Sequence, residues 1–270
     1  MTEVRMAKES TSHRLINGDA LEILPTLESD SVDLIFVDPP YNIGKDFGEG
    51  SVIMDPDRYL KWCARWLDHL VRILRPTGSL YIMNATQNMP YIDIMTSERL
   101  HIVSRIVWHY DSSGVQAKQH YGSMYEPILH CVKDEQKYTF NLEDVLIPAR
   151  TGSVRKLIDY RKTPPEPYNT VRNPGNVWYF PRVRYRMPEY MKHPSQKPEL
   201  LLERIILASS NVGEVILDPF AGTFTTSVVA AKTRRNSISI EISKEFFEKG
   251  VSRLAQASEG EEIANKHNYG

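Results

Sequence analysis

Apolar positions follow two rhythms along this chain, and a third stretch has none. The first rhythm is the unbroken run. Leu34, Ile35, Phe36 and Val37 succeed one another without a polar break, and Val215, Ile216 and Leu217 repeat the pattern near the other end. Such strands are apolar on both faces, as expected inside a parallel sheet with helices on either side. The stretches GSLYIMN, RIVWHY, EPILHCV and NSISIEIS predict four more strands, and HRLINGDALEIL predicts a strand, a turn at Gly18-Asp19 and a short helix. The second rhythm is helical. Residues 57–74 repeat apolar side chains at Leu60, Cys63, Leu67, Leu70 and Leu74 and stop at Pro76-Thr77-Gly78, a breaker. KPELLLERIILASS carries Leu201, Ile205 and Ala208 on one stripe, with Pro198 at its first turn, and TFTTSVVAAKTR predicts another helix.

From about 135 to 192 the periodicity disappears, and prolines, arginines and aromatics crowd together in RKTPPEPYN and RNPGNVWYFPRVRYRMPEY. The expected organisation follows: an α/β half over 14–134, an irregular substrate-facing segment over 135–192, and a second α/β half over 193–255. Residues 1–13 and 256–270 are polar and are expected to be flexible tails.

The 270 residues and 41% apolar content provide for a large core. No apolar run reaches the length of a membrane span, and the first residues lack the apolar stretch of a signal peptide, so a cytoplasmic location is expected. With only Cys63 and Cys131, neither a disulfide scaffold nor a metal site is expected. The net charge of −1 hides an asymmetry. Residues 150–192 hold ten Lys/Arg against three Asp/Glu, leaving 23 basic and 31 acidic residues elsewhere. A basic middle between acidic ends predicts one face that meets a polyanion.

The chemistry lies at two strand ends. The strand 215–217 runs into Asp218-Pro-Phe220-Ala-Gly222-Thr223, then a helix, then a strand ending at Glu241, 23 positions beyond Asp218. A carboxylate at about that distance meets ribose hydroxyls in nucleoside-binding folds. A pyrophosphate needs three glycines for close backbone approach, and this turn has one. The balance moves from NAD to a nucleoside without phosphates, such as S-adenosylmethionine. The other strand end is Asp38-Pro39-Pro40-Tyr41. Prolines fix φ and donate no hydrogen bond, so the segment presents carbonyl oxygens in a stiff frame. A carboxylate beside a fixed carbonyl matches the two hydrogens of an –NH₂ group. The Tyr41 ring is expected to stack on a flat base, worth about 1–3 kcal/mol. Together they indicate methylation of an amino group. Either turn alone is also compatible with an ordinary strand end, because Asp and Pro are common turn residues.

At these residues the chain resembles the β-group of DNA amino-methyltransferases, the permuted order in which DPPY precedes the DPFAGT cofactor motif. The resemblance runs from GDAL at 18–21 to SIEIS at 239–243 and includes HPSQKPELL at 193–201. It implies a circularly permuted, Rossmann-like methyltransferase sheet of seven mixed strands, with an inserted target-recognition segment. It implies S-adenosylmethionine as cofactor and an adenine flipped from duplex DNA as substrate. By the same resemblance, Asp38, Pro39, Pro40 and Tyr41 are catalytic. Asp19, Asp38, Ser195, Gln196, Lys197, Asp218, Phe220, Gly222, Thr223 and Glu241 are expected at the cofactor. Arg172, Arg182, Arg184, Arg186 and Lys118 are expected at DNA. Trp178 and Phe180 read equally well as core, and VRYRM equally well as an edge strand. A two-fold dimer would suit a palindromic site. Two departures stand out: Phe224 where many relatives carry a glycine, and DSSG after Tyr110 where several carry Asn-Pro. Cytosine-N4 methylation, RNA or protein amides, an inactive DNA-binding module and an oxidoreductase are the competing readings. Asp38 favours adenine, and the missing glycines disfavour NAD.

Overall fold

The computed structural model describes residues 2–8, 11–43, 53–111 and 118–257. In chain order the elements begin with β1 (Thr2–Lys8), β2 (Thr11–Asn17), α1 (Ala20–Ile23), β3 (Val32–Val37), α2 (Pro56–Ile73) and β4 (Leu74–Met83). Next come α3 (Met89–Ser97), β5 (His101–His109) and β6 (Tyr125–Val132). The middle segment holds β7 (Ile147–Pro148), β8 (Ile158–Asp159), β9 (Glu166–Pro167), β10 (Val171–Arg172) and β11 (Val177–Tyr179). Finally come α4 (Glu199–Ser209), β12 (Val215–Asp218), α5 (Thr225–Lys232), β13 (Asn236–Glu241) and α6 (Lys244–Ala257).

Nine strands form one sheet in the order β1-β2-β13-β12-β3-β4-β6-β5-β11. The five from β2 to β4 are mutually parallel, so their carboxyl ends share one edge. The strands β3 and β12 lie side by side, Leu34 opposite Ile216 and Ile35 opposite Leu217, although most of the chain separates them. The doubly apolar pattern explains this placement. Leu34 and Phe36 pack on one face with Leu201, Leu202, Ile205 and Ile206 of α4, and Ile35 and Val37 pack on the other with Trp66, Leu67 and Leu70 of α2. All four strand residues are buried. The helices α1, α2 and α3 thus cover one face, and α4, α5 and α6 the other, as the α/β expectation required.

Three expectations need correction. Residues 2–8 are not a tail: β1 pairs antiparallel with β2 from Thr2 opposite Asn17 to Lys8 opposite Thr11, extending the sheet by one strand. At the other end α6 runs to Ala257, and residues 258–270 lie outside the described residues. The middle segment also adds a strand, for β11 pairs parallel with β5. The sheet therefore has nine strands rather than seven. VRYRM is a turn region rather than an edge strand, the edge being taken by β11.

Trp178 and Phe180 are core. The guanidinium of Arg204 on α4 lies 5.2 Å from the Trp178 ring centroid and 4.6 Å from that of Phe180. The Trp108 indole donates to the Phe180 carbonyl at 2.9 Å. These buried contacts fix the start of the arginine-rich stretch on the rigid sheet.

Candidate active site

Asp38 follows β3 directly, at the carboxyl edge of the sheet, and β12 brings Asp218 to the same edge. The loop after Asp38 is held by side chains from two helical neighbourhoods. The Tyr59 hydroxyl on α2 donates to the Pro40 carbonyl at 2.9 Å, and the Asn88 side chain donates to the Tyr41 carbonyl at 2.7 Å. Asn84 bonds to the Tyr59 hydroxyl and to Asn88, at 2.9 and 3.0 Å. Prolines fix the backbone angles, and this polar network fixes where the loop sits.

Both Asp38 oxygens are engaged. Oδ1 accepts from the Tyr41 hydroxyl at 2.5 Å, and Oδ2 pairs with Lys197 Nζ at 2.6 Å. A fourth residue joins them: Glu126 Oε2 lies 2.9 Å from the Tyr41 hydroxyl and 3.5 Å from Lys197 Nζ. Tyr41 is only 6% exposed. In this conformation its ring is buried rather than offered to an incoming base, because its hydroxyl is drawn inward by the two carboxylates. Burial pushes the Asp38 carboxyl above its usual value, against the pull of Lys197. Burial acts to lower the Lys197 ammonium, but Asp38 and Glu126 outweigh it and leave it raised. The Tyr41 phenol is driven well up by burial and by both carboxylates.

The second half-site is built from backbone. Asp218 Oδ1 accepts from the Phe220 amide at 3.1 Å and Oδ2 from the Thr226 hydroxyl at 2.5 Å. Gly222 has φ +52°, a left-handed conformation that favours glycine, and a Cβ there would press on His193 Nε2 at 3.1 Å. Its amide donates to Glu241 Oε2 at 2.8 Å, and the Ser243 amide donates to Oε1 at 2.7 Å. Burial pushes Asp218 and Glu241 each up to about 7. Phe224 resolves the first departure. It holds φ +59° at the start of α5, a left-handed conformation costing a non-glycine residue about 1–2 kcal/mol. Its fully buried ring contributes about 1.5–3 kcal/mol in return. The ring packs against Gly250 of α6, where a Cβ would meet it at 2.6 Å. Arg253 of the same helix donates to the Thr223 carbonyl at 3.2 Å and so braces the turn.

Between the half-sites lies a cleft lined by Phe36, Asp38, Ser195, Lys197, Phe220 and Gly222, among others. An apolar wall, a glycine in the turn, the buried Asp218 carboxylate and the half-buried Asp38 fit a nucleoside carrying a cationic sulfonium. Phe220 packs against Trp62 at 5.5 Å and forms part of that wall. Among the described residues, no three His, Cys, Asp or Glu converge as a metal site. Nor is any helix among them long and apolar enough to cross a membrane.

The remaining expected residues are placed unequally. Gln196 lines the cleft, but its amide is spent on the Met191 amide and the Glu189 carbonyl, at 2.7 and 2.6 Å, shaping the segment. Thr223 lines the cleft and is buried. Asp19 caps α1 by accepting from Leu21 at 2.8 Å and lies outside the cleft lining, as does Glu241. Arg172, Arg184, Arg186 and Lys118 are exposed. Arg182 is half-buried over the Tyr110 ring, 5.0 Å from its centroid, and Arg184 bonds to the Asp111 carbonyl at 2.9 Å. Of the DSSG departure, Ser112, Ser113 and Gly114 lie outside the described residues. Glu126 was missed. Its only signal is a carboxylate opening the strand EPILHCV.

Three sequence comparisons and two structural ones bear on this site. The profile of the DNA methylase family matches residues 32–252. The chain is 56% identical over 252 residues to a DNA adenine methyltransferase, YhdJ of Escherichia coli K12, covering 93% of this chain and 86% of that one. It is 38% identical to the type II methyltransferase M.HpaI of Haemophilus parainfluenzae, covering 89% of this chain and 74% of that one. Among solved structures, the cytosine-N4-specific PvuII DNA methyltransferase superposes with a TM-score of 0.69 at 16% identity, covering 94% and 93% of the two chains. The M1.HpyAVI–SAM complex gives 0.64 at 24% identity, covering 90% and 98%. At those identities the two structures speak for the fold alone.

Proposed function

The chain belongs to the DNA methylase family, and on that premise we propose that Asp38, with the Pro39 carbonyl, receives the amine to be methylated. The protein is an S-adenosylmethionine-dependent DNA adenine-N6 methyltransferase. The observation that carries the site assignment is the adjacency of β3 and β12. It brings Asp38, at the head of the DPPY loop, and the Asp218 turn into the lining of one cleft.

Bound S-adenosylmethionine supplies an electrophilic methyl group on a sulfonium. Asp218, Phe220, Gly222 and Thr223 would hold it, with Ser195 and Lys197 on the covering side and Glu241 bracing Gly222. The target adenine is flipped out of the duplex, at a cost of a few kcal/mol. The Asp38 carboxylate and the Pro39 carbonyl accept its amine hydrogens and orient the nitrogen toward the methyl group. As nitrogen takes up the methyl group it becomes positive, and the Asp38 carboxylate stabilises that charge and accepts the surplus proton. Tyr41 stacks on the base once its hydroxyl has left Asp38.

Arg172, Arg182, Arg184, Arg186 and Lys118 would contact phosphates and base edges. Two copies would pair on a palindromic site, which sedimentation of the enzyme with and without duplex tests. The protein works where the genome is exposed to it, in the cytoplasm.

The test is transfer of labelled methyl from S-adenosylmethionine to mixed-sequence duplex DNA, followed by digestion to nucleosides. Label in N6-methyl-deoxyadenosine that disappears with Asp38→Ala supports the assignment. Full activity of Asp38→Ala removes it.

A further inference from the structure

Asp38 meets its substrate with both oxygens already occupied, one by a hydroxyl and one by an ammonium. A neutral amine is a weaker donor than either of them, and it has to displace them. Lys197 is only 6% exposed in its side chain, and its bonds to the Ser195 carbonyl and hydroxyl, at 3.3 and 3.0 Å, are to neutral acceptors, so simply releasing it from Asp38 would leave a buried cation short of a counter-charge. Tyr41 is nearly as buried. Both groups, however, also touch a single second acceptor. Glu126 Oε2 lies 2.9 Å from the Tyr41 hydroxyl and 3.5 Å from Lys197 Nζ.

We propose that Glu126 is a positioning residue that takes over the Tyr41 hydroxyl and the Lys197 ammonium from Asp38 when the target amine arrives. Lys197 needs to move toward Glu126 by under about 1 Å to reach a full charge-assisted bond. Only hydrogen bonds and an ion pair are exchanged: no covalent bond changes and no proton moves. The exchange has a catalytic consequence. With Lys197 turned to Glu126, the Asp38 charge is no longer neutralised, so it faces the positive charge growing on the amine. That interaction strengthens in the transition state, so loss of Glu126 slows the methyl-transfer step rather than weakening binding.

This inference rests on the assignment of Asp38 to the amine, and the experiment separates the two. Single-turnover methyl transfer is measured with saturating S-adenosylmethionine and duplex DNA for Asp38→Ala, Glu126→Gln, Lys197→Met and the Glu126→Gln/Lys197→Met double variant. Gln keeps an oxygen acceptor for Tyr41 but offers no charge to Lys197. The expected result for Glu126→Gln is a rate at least about tenfold lower, with cofactor and DNA Kd within about threefold. In the Lys197→Met background the same change costs less than about twofold, because no ammonium remains to be taken over. A purely structural role would give the same fold-loss in both backgrounds, and that result overturns the proposal. So does a Glu126→Gln rate within about twofold of wild type, or a loss confined to Kd. Should Lys197→Met fail to fold, Lys197→Gln takes its place in the cycle with the same expected non-additivity, since it too removes the ammonium. Asp38→Ala inactive with Glu126→Gln unslowed removes this inference alone, whereas Asp38→Ala active at the wild-type rate removes both.

Discussion

Asp38 and Asp218 end neighbouring parallel strands and each is followed by proline, one half-buried and the other buried, yet they are held in opposite ways. The oxygens of Asp218 are satisfied by Phe220 and Thr226, two and eight residues further along. Those of Asp38 are satisfied by Tyr41 and by Lys197, which arrives from the far third of the chain, with Glu126 joining from β6. The first is a self-contained turn, whose shape is set by its own residues and braced by Arg253. The second is an assembly of three segments that exists only once the domain has folded. A locally closed turn suits a site that must hold the same ligand in the same way every cycle. A shared cluster with exchangeable partners suits a site that has to admit a base, react and let it go.

Substitutions can break or sharpen this contrast. The largest effect is expected from Asp38→Ala: methyl transfer falls by about 10²–10³-fold or more while cofactor Kd changes by less than about threefold, read by single-turnover kinetics and equilibrium binding. Asp218→Asn should do the reverse, weakening cofactor binding by about 10–100-fold, or about 1.4–2.8 kcal/mol, with a rate at saturation close to wild type. A pH series sharpens it further. Asp218 and Glu241 are raised from 3.8 and 4.5 to about 7, so the folded state retains protons that the unfolded chain has lost in that interval. Their contribution to stability therefore falls as pH rises across about 4 to 7 and is level above it. On the proposed assignment cofactor binding uses the ionised carboxylates, so affinity should rise through about pH 7, and Asp218→Asn should flatten part of that rise. Calorimetric titrations at several pH values read it directly.

A smaller effect tests the rigidity of the local turn. Gly250→Ala places a methyl against the Phe224 ring and should cost about 1–3 kcal/mol of stability, seen as a lower Tm. Outside both half-sites, Arg172→Ala and Arg184→Ala should weaken binding to all duplexes alike and reduce the salt slope of log K by about 1 each. A loss confined to one sequence would instead assign that arginine to base reading.

The same contrast accounts for what could be read from the residues in advance. The βαβ unit around Asp218 is contiguous, so strand, turn, helix and Glu241 were all visible in DPFAGT and its flanks. The unbroken apolar run before Asp38 placed β3 in the sheet interior. The Asp38 cluster was half legible: the DPPY loop was plain, but the pairing of Lys197 with Asp38 is a property of the fold, invisible to spacing. Glu126 lay hidden for the same reason. The β1–β2 hairpin was missed because its polar outer strand, TEVRMAK, carries little apolar alternation and gains its order from pairing with its neighbour. Trp178 and Phe180 could not be assigned from composition, since aromatics among arginines serve nucleic acid and core equally well. Arg204 between the two rings decides the matter.

The Asp33 side chain accepts a hydrogen bond from the Val215 amide, a contact between residues 182 positions apart. It sits beside the ladder that joins β3 to β12, and that ladder closes late on the ribosome. Until about four-fifths of the chain has emerged, the DPPY loop has no cofactor turn beside it and Asp38 has no Lys197. A chain that stops short of Asp218 therefore lacks half of the cleft. Non-local pairing of this kind also slows folding. The interval between synthesis and first activity is accordingly written into the strand order, independently of any regulator.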